Sequence, residues 1–202
     1  MRVHRIAIAL AVVLALAGTT KGSVAGTAAV PLPTFQTLLA ESGVSFTPPA
    51  GFDDVDVPPI ERFPFDRAMR EKGGAMKVLY AVRPIARLEI EYNDPHNSAP
   101  NPNHIFPLIF ESLTGVFSAG GRAPSRQFSA SSAKKRFNAD WASATTFDVD
   151  PEIDPDYRLG FLVGAHKNNK ADIYTLFLYN DPEMAKKRID GLMKSLVFQA
   201  GE

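Results

Sequence analysis

The chain contains no cysteine. That excludes disulfides, lipid attachment through a thiol and a thiolate nucleophile, so packing alone must hold the core. It has little tryptophan, a single residue at Trp141. It has no excess charge of one sign, with 22 basic residues against 22 acidic. It has no apolar run of the ~20 residues that cross a bilayer as a helix: the longest, Ile6 to Ala17, is about twelve. Three catalytic signatures are also missing. No Gly-x-Ser-x-Gly elbow, no His-Glu-x-x-His pair and no phosphate-binding glycine loop occurs, and Gly120-Gly121 lacks the following Lys-Ser/Thr.

The amino terminus is informative. Met1-Arg2-Val3-His4-Arg5 is basic, Ile6 to Ala17 is apolar, and Ser23-Val24-Ala25 offers a small-residue cleavage site. This pattern predicts a secretory signal peptide over residues 1–25, with Ala17 and Ala29 as alternative cleavage points. Its removal takes away Arg2, Arg5 and Lys21 and no acid, so 22 basic residues against 22 acidic become 19 against 22. A mildly acidic mature chain argues against nucleic acid as a partner and against stable membrane insertion after cleavage. Residues 26–33 read as a linker and 34–202 as a single domain. About 177 residues can bury roughly 70% of their unfolded surface, and fourteen Phe supply much of the core.

Periodicity predicts a short helix over Thr34 to Glu41, capped by Thr34 and ended by Gly43, and then a strand over Val44 to Thr47. Arg62 to Met69 reads as a strand that Pro64 forces to an edge or a late start. Gly73-Gly74 reads as a hairpin turn. Met76 to Val82 alternates as a strand ended by Arg83-Pro84, and Arg87 to Tyr92 alternates again. Asn93 to Asn103, rich in Asn and Pro, reads as a loop. A helix is expected over His104 to Ser118, with Pro107 tolerable only near its first turn. Gly121 to Ser131 reads as irregular, and Phe137 to Val149 as two β segments around Asn138-Ala139-Asp140. Tyr157 to Lys167 and Ala171 to Tyr179 are strand-like, with Asn168-Asn169 as a tight turn between them. Asp181-Pro182-Glu183 is a helix start, and Ser195 to Phe198 a last short strand. Strands grouped in sequence, with tight turns and flanking helices, predict an α+β domain: a mainly antiparallel sheet covered by helices.

The segments Phe46-Thr47-Pro48-Pro49-Ala50-Gly51-Phe52, Tyr80-Ala81-Val82-Arg83-Pro84, Phe137-Asn138-Ala139-Asp140-Trp141 and His166-Lys167-Asn168 with Ala171-Asp172-Ile173-Tyr174 resemble a group of small exported bacterial proteins of unknown function. The Pro-Ala-Gly-Phe opening and the Ser195-Leu196-Val197-Phe198 ending are similar to the PsbP-like (Mog/PsbP) α/β/α sandwich, over roughly residues 42–198. That resemblance implies an accessory or binding module rather than an enzyme. The plant members assist photosystem assembly, and no residue pattern here carries that role over.

The sharpest polar set is Asn138, Asp140 and His166. An Asp beside a His can bind a divalent metal ion or do acid–base work, and Asp172 is a third possible ligand. The plainer reading is that Trp141 anchors the core, Asn138 and Asp140 bond locally to backbone, and His166 ends a strand. Tyr80, Arg83, Trp141 and Lys167 join Asn138, Asp140 and His166 as candidate ligand-binding residues, with no catalytic residue assigned. Asp148, Asp150, Glu152, Asp154 and Asp156 alternate through a Pro-interrupted stretch. They lack the glycine of a calcium loop and read as a solvated connection. Arg83, Arg87, Glu89 and Glu91 read as an exposed ion-pair row, and His96 and His104 as surface residues. The expected function is that of an exported, non-enzymatic binding protein of the periplasm or medium, without a cofactor, whose partner is an envelope protein or a small ligand. The alternatives are a metal-binding protein or metal-dependent hydrolase using Asp140 and His166, and a purely structural role.

Overall fold

The long central strands of this protein are buried on both faces, and the architecture follows from that. A computed structural model describes residues 32–88, 100–121 and 123–200. In chain order its elements are α1 (Phe35–Ser42), β1 (Val44–Phe46), β2 (Phe52–Val55), β3 (Arg67–Glu71), β4 (Met76–Pro84), α2 (Pro102–Phe117), β5 (Arg126–Gln127), α3 (Ala130–Phe137), β6 (Trp141–Asp148), β7 (Leu159–Lys167), β8 (Ala171–Tyr179), α4 (Pro182–Leu192) and β9 (Leu196–Phe198). Seven strands form one antiparallel sheet in the order β2-β3-β4-β8-β7-β6-β5, and β1 pairs with β9. Pro33–Glu202 forms one compact unit. The expected α+β class, with a mainly antiparallel sheet, is what the chain forms.

Successive side chains on a strand point to opposite faces. On β4 and β8 that sends Met76, Val78, Tyr80, Val82, Ile173 and Phe177 to one face, under α1, α3, α4 and β9. Leu79, Ala81, Tyr174, Leu176 and Leu178 go to the other, under α2 and the Ile60–Phe65 loop. All nine residues of β8 are buried, as its central place requires. Gly164 lets α2 sit close: a Cβ there would lie 2.7 Å from Phe110 Cδ2 and 3.2 Å from Phe106 Cε2.

Local chemistry sets the helix ends. Thr34 Oγ1 accepts the Thr37 N–H (3.2 Å), and Gly43 closes α1 at φ 59°. Asp181 accepts the N–H groups of Glu183 and Met184, with Pro182 opening α4. Asn169, at φ 59°, supplies the left-handed residue of the β7–β8 turn.

Several expectations are corrected. α3 occupies Ala130–Phe137, where irregular chain and then a β segment were expected. Ser129 Oγ caps it on the Ser132 N–H (3.2 Å), three basic residues fill its last turn, and Asn138 ends it at φ 53°. β2, rich in Asp and without an alternating apolar signal, is an edge strand. β3 starts only at Arg67, past Pro64. β4 continues through Pro84, which lies opposite Ala171, because Pro84 sits where the ladder ends and needs no further donor. Arg87 closes a 3-10 turn, Ile85–Arg87, Leu88 follows it as an exposed residue outside any strand, and residues 89–92 of the expected Arg87–Tyr92 strand lie outside the described residues. α2 begins at Pro102, inside the expected loop, with Asn101 as its cap, and it contains Pro107. The signal segment 1–25, most of the linker, and Glu89, Glu91 and His96 also lie outside the described residues.

Candidate functional site

Strand register assembles a polar row at one end of the sheet, on the α2 face. Arg83 lies opposite Asp172, Asp172 opposite His166, and His166 opposite Trp141. Cross-strand partners share a face, so four strands bring four of the candidate residues together. His166 is fully buried, with Nδ1 2.6 Å from Asp172 Oδ1 and Nε2 3.1 Å from Asn168 Oδ1. The Tyr174 hydroxyl donates to Asp172 Oδ2 (3.3 Å). The Phe106 ring lies 5.7 Å from the imidazole, tilted by 30°. Burial pulls the His166 pKa down, but the hydrogen bond and charge of Asp172, helped by Asn168 and Asp140, raise it overall. Burial, then the Asp172 charge, push the Tyr174 hydroxyl well above its ordinary range.

Arg83 donates to Asp66 Oδ2 (2.7 Å) and to the Val82 and Pro64 carbonyls, and its guanidinium lies over Phe63 at 4.8 Å. Asp66 Oδ2 also accepts the Val82 N–H (2.7 Å). Asp140 accepts the Asn168 N–H (2.9 Å) and donates its own N–H to the His166 carbonyl (2.9 Å). Trp141, expected as a core anchor, is 42% exposed. The hairpin tip is tied to α2 by two hydrogen bonds of 2.8 Å between Asn103 and Asn169.

The remaining candidates lie on the opposite face. Tyr80 is fully buried, and its hydroxyl accepts from Ser195 Oγ (3.1 Å); burial pushes its pKa up to about 12. Asn138 Nδ2 donates to the Gln199 carbonyl (2.6 Å), as does Lys167 Nζ (3.2 Å), so both hold the chain beyond β9. Burial and the neighbouring Lys134 and Lys170 lower the Lys167 pKa. The seven candidate ligand-binding residues are therefore split between two faces, and most of their polar atoms already have partners in the chain.

For a metal ion the donor set is thin. Both ring nitrogens of His166 are engaged, Asp140 serves the turn backbone, and no group of three or more His, Asp or Glu among the described residues is placed to hold an ion. The acidic stretch does not converge either. Asp154 is buried against Lys77 Nζ (2.5 Å), so it is not part of a wholly solvated connection, and Asp150 accepts the Glu152 N–H (3.0 Å).

A concave feature lies elsewhere, on the α3–α4 face. A groove of about 640 Å³ runs between β5–α3 and the sheet, lined by Arg126, Phe128, Ser132, Arg136, Thr146 and Phe161 among others. A second hollow of about 300 Å³ shares Thr146 and Phe161 and extends to Lys186, Ile189 and Asp190 of α4. Arg136 of the first is ion-paired with Asp190 of the second, which holds the Asp190 carboxyl below its usual range. Both partners are substantially exposed, and such pairs contribute roughly 0–1 kcal/mol. The sequence reading missed this groove. The Ser129-x-x-Ser132 cap, the basic last turn of α3 and Asn138 are the signals that would have placed its wall.

Fold and groove define an antiparallel α+β domain, helix-covered on both faces, with a lateral hollow. No family model matches the chain, and no curated protein does. Among the described residues, no helix is long and apolar enough to cross a membrane.

Proposed function

We propose that this is an exported, non-enzymatic binding protein of PsbP-like shape, acting in the periplasm or medium, and that its small ligand occupies the groove beside α3. The observation that carries the reading is the groove itself: about 640 Å³, within the roughly 300–1,000 Å³ range of ligand pockets, with the apolar side chains of Phe128, Ala144 and Phe161 set among polar groups such as Arg126, Ser132, Arg136 and Thr146. The bonding of Arg83, His166, Asp172 and Tyr174 to one another and to Asp66 and Asn168 supports a structural role for that row. The alternative, metal-dependent chemistry at Asp140 and His166, would require Asn168 to leave the imidazole. The basic-apolar-small start of the chain supports export.

Native mass spectrometry of the protein recovered from its producing cells tests both parts. The expected mass is that of a chain shortened at Ala17, Ala25 or Ala29 plus a bound small molecule. Thr146→Trp, placing a large side chain on the exposed floor residue shared by both hollows, should yield the same chain without the molecule. A full-length chain overturns export by cleavage, and a molecule retained by Thr146→Trp overturns the groove.

A further inference from the structure

Resting on the groove as the ligand site, we infer that its ligand is an anionic amphiphile: a carboxylate on a single extended apolar chain. The carboxylate sits on Arg126, and the chain crosses Phe161 beneath the Arg136–Asp190 ion pair into the hollow at α4. Arg126 lies opposite Ala144, an inward residue of the α3–α4 face, so its side chain is on the groove side of β5. It is exposed, and no carboxylate among the described residues pairs with it.

The charge of the lining has one sign in excess. The two hollows present Arg126, Arg136 and Lys186 against a single acid, Asp190, which is already bound to Arg136. An exposed planar guanidinium with no carboxylate partner among the described residues, bordering the apolar side chains of the groove, suits a carboxylate that can accept two parallel hydrogen bonds. Beside it the apolar part of the lining is Phe128, Ala144 and Phe161, and then Ile189 and Met193, with Ser132, Thr145 and Thr146 alongside. The shared floor of Thr146 and Phe161 makes the two hollows one path, longer than a compact ring acid would fill. The Arg136–Asp190 pair joins α3 to α4 where the hollows meet. Being half-exposed, it opens at little cost, so it acts as a latch over the chain rather than a wall.

Isothermal titration with dodecanoate, dodecanol and benzoate tests this on the mature protein, freed of any co-purified molecule. Dodecanoate is expected to bind at least tenfold more tightly than either dodecanol or benzoate. Arg126→Gln should weaken dodecanoate at least tenfold and leave dodecanol unchanged. Asp190→Asn should speed dodecanoate association in stopped-flow and not weaken it. Benzoate binding as well as dodecanoate, indifference to Arg126→Gln, or slower association in Asp190→Asn would each overturn the inference. The two readings fail separately. If Thr146→Trp empties the protein of its molecule but dodecanoate does not bind, the groove stands and the amphiphile falls. If Thr146→Trp retains the molecule, both fall.

Discussion

Asp172→Asn should reverse the sign with which the buried imidazole responds to pH. In the native protein the folded-state pKa of His166 is raised. Its stabilisation is then complete below the unfolded value of about 6.5 and is lost as pH rises through the folded pKa. Burial is the largest single influence and acts downward; the two next in size, a hydrogen bond and a charge, both come from Asp172. Asn at 172 keeps a hydrogen-bonding partner for Nδ1 and for the Tyr174 hydroxyl but removes the charge. Asn168 and Asp140 are the weaker influences left to oppose burial, while Phe106 adds no charge and Arg83 is held by Asp66. The folded pKa should then fall below the unfolded one. The contribution becomes present above about pH 6.5 and is lost as pH drops through the new folded pKa. Each unit of displacement is worth about 1.4 kcal/mol. For a domain of this size that is about 2–4 °C of Tm per kcal/mol, or about 3–6 °C per unit. The assay is Tm by circular dichroism from pH 5 to 9 on the wild type and Asp172→Asn, with the His166 ring titrated by NMR in both. The expected difference curve has the variant losing ground steadily toward low pH. A variant whose pH profile is parallel to the wild type would refute the reasoning, because Asp172 would then not be what holds the imidazole charged.

Legibility in the sequence tracked how local each signal was. Asp181-Pro182-Glu183 contains the whole start of α4, and Asn168-Asn169 between two β-rich runs contains the whole β7–β8 turn, so both were readable. α3 was not, because its sequence buries only Ala133 and Phe137, one turn apart, and its helical signal lies in caps and charge rather than in an apolar stripe. β2 and β5 are an acidic edge and a two-residue edge, held by neighbours far along the chain. The polar row was half-legible: His166 and Asp172 flank one turn, but Arg83 and Trp141 join them only through register across β4, β8, β7 and β6. The groove was hidden for the same reason as its walls, since β5 and α3 build it. Tyr80 shows the limit of reading residue type alone. A Tyr and an Arg close together in one strand resemble a binding pair, yet period-two alternation sends Tyr80 to the α3–α4 face, whereas Arg83, three residues on, joins the α2 face.

Two further perturbations probe the packing that supports the site. Asp154→Ala should be strongly destabilising, by up to about 3–5 kcal/mol, because it leaves Lys77 Nζ in a largely buried position without its counter-charge. Chemical denaturation should show a lower midpoint with unchanged slope, and a midpoint equal to the wild type would show that the pair is solvated in solution. Gly164→Ala should cost about 1–3 kcal/mol, the usual range for overpacking, and so lower Tm by about 2–12 °C. The added methyl would meet Phe110 Cδ2 at 2.7 Å, within a ring that is 1% exposed and has nowhere to retreat. Phe110→Leu, itself destabilising, should recover part of that loss in the double variant, because the smaller side chain yields the space the methyl needs. A coupling energy near zero between the two substitutions would mean that α2 lifts off the sheet as a body instead. The seat of Phe106 over His166 should then loosen in Gly164→Ala, and the NMR titration of the imidazole would register it.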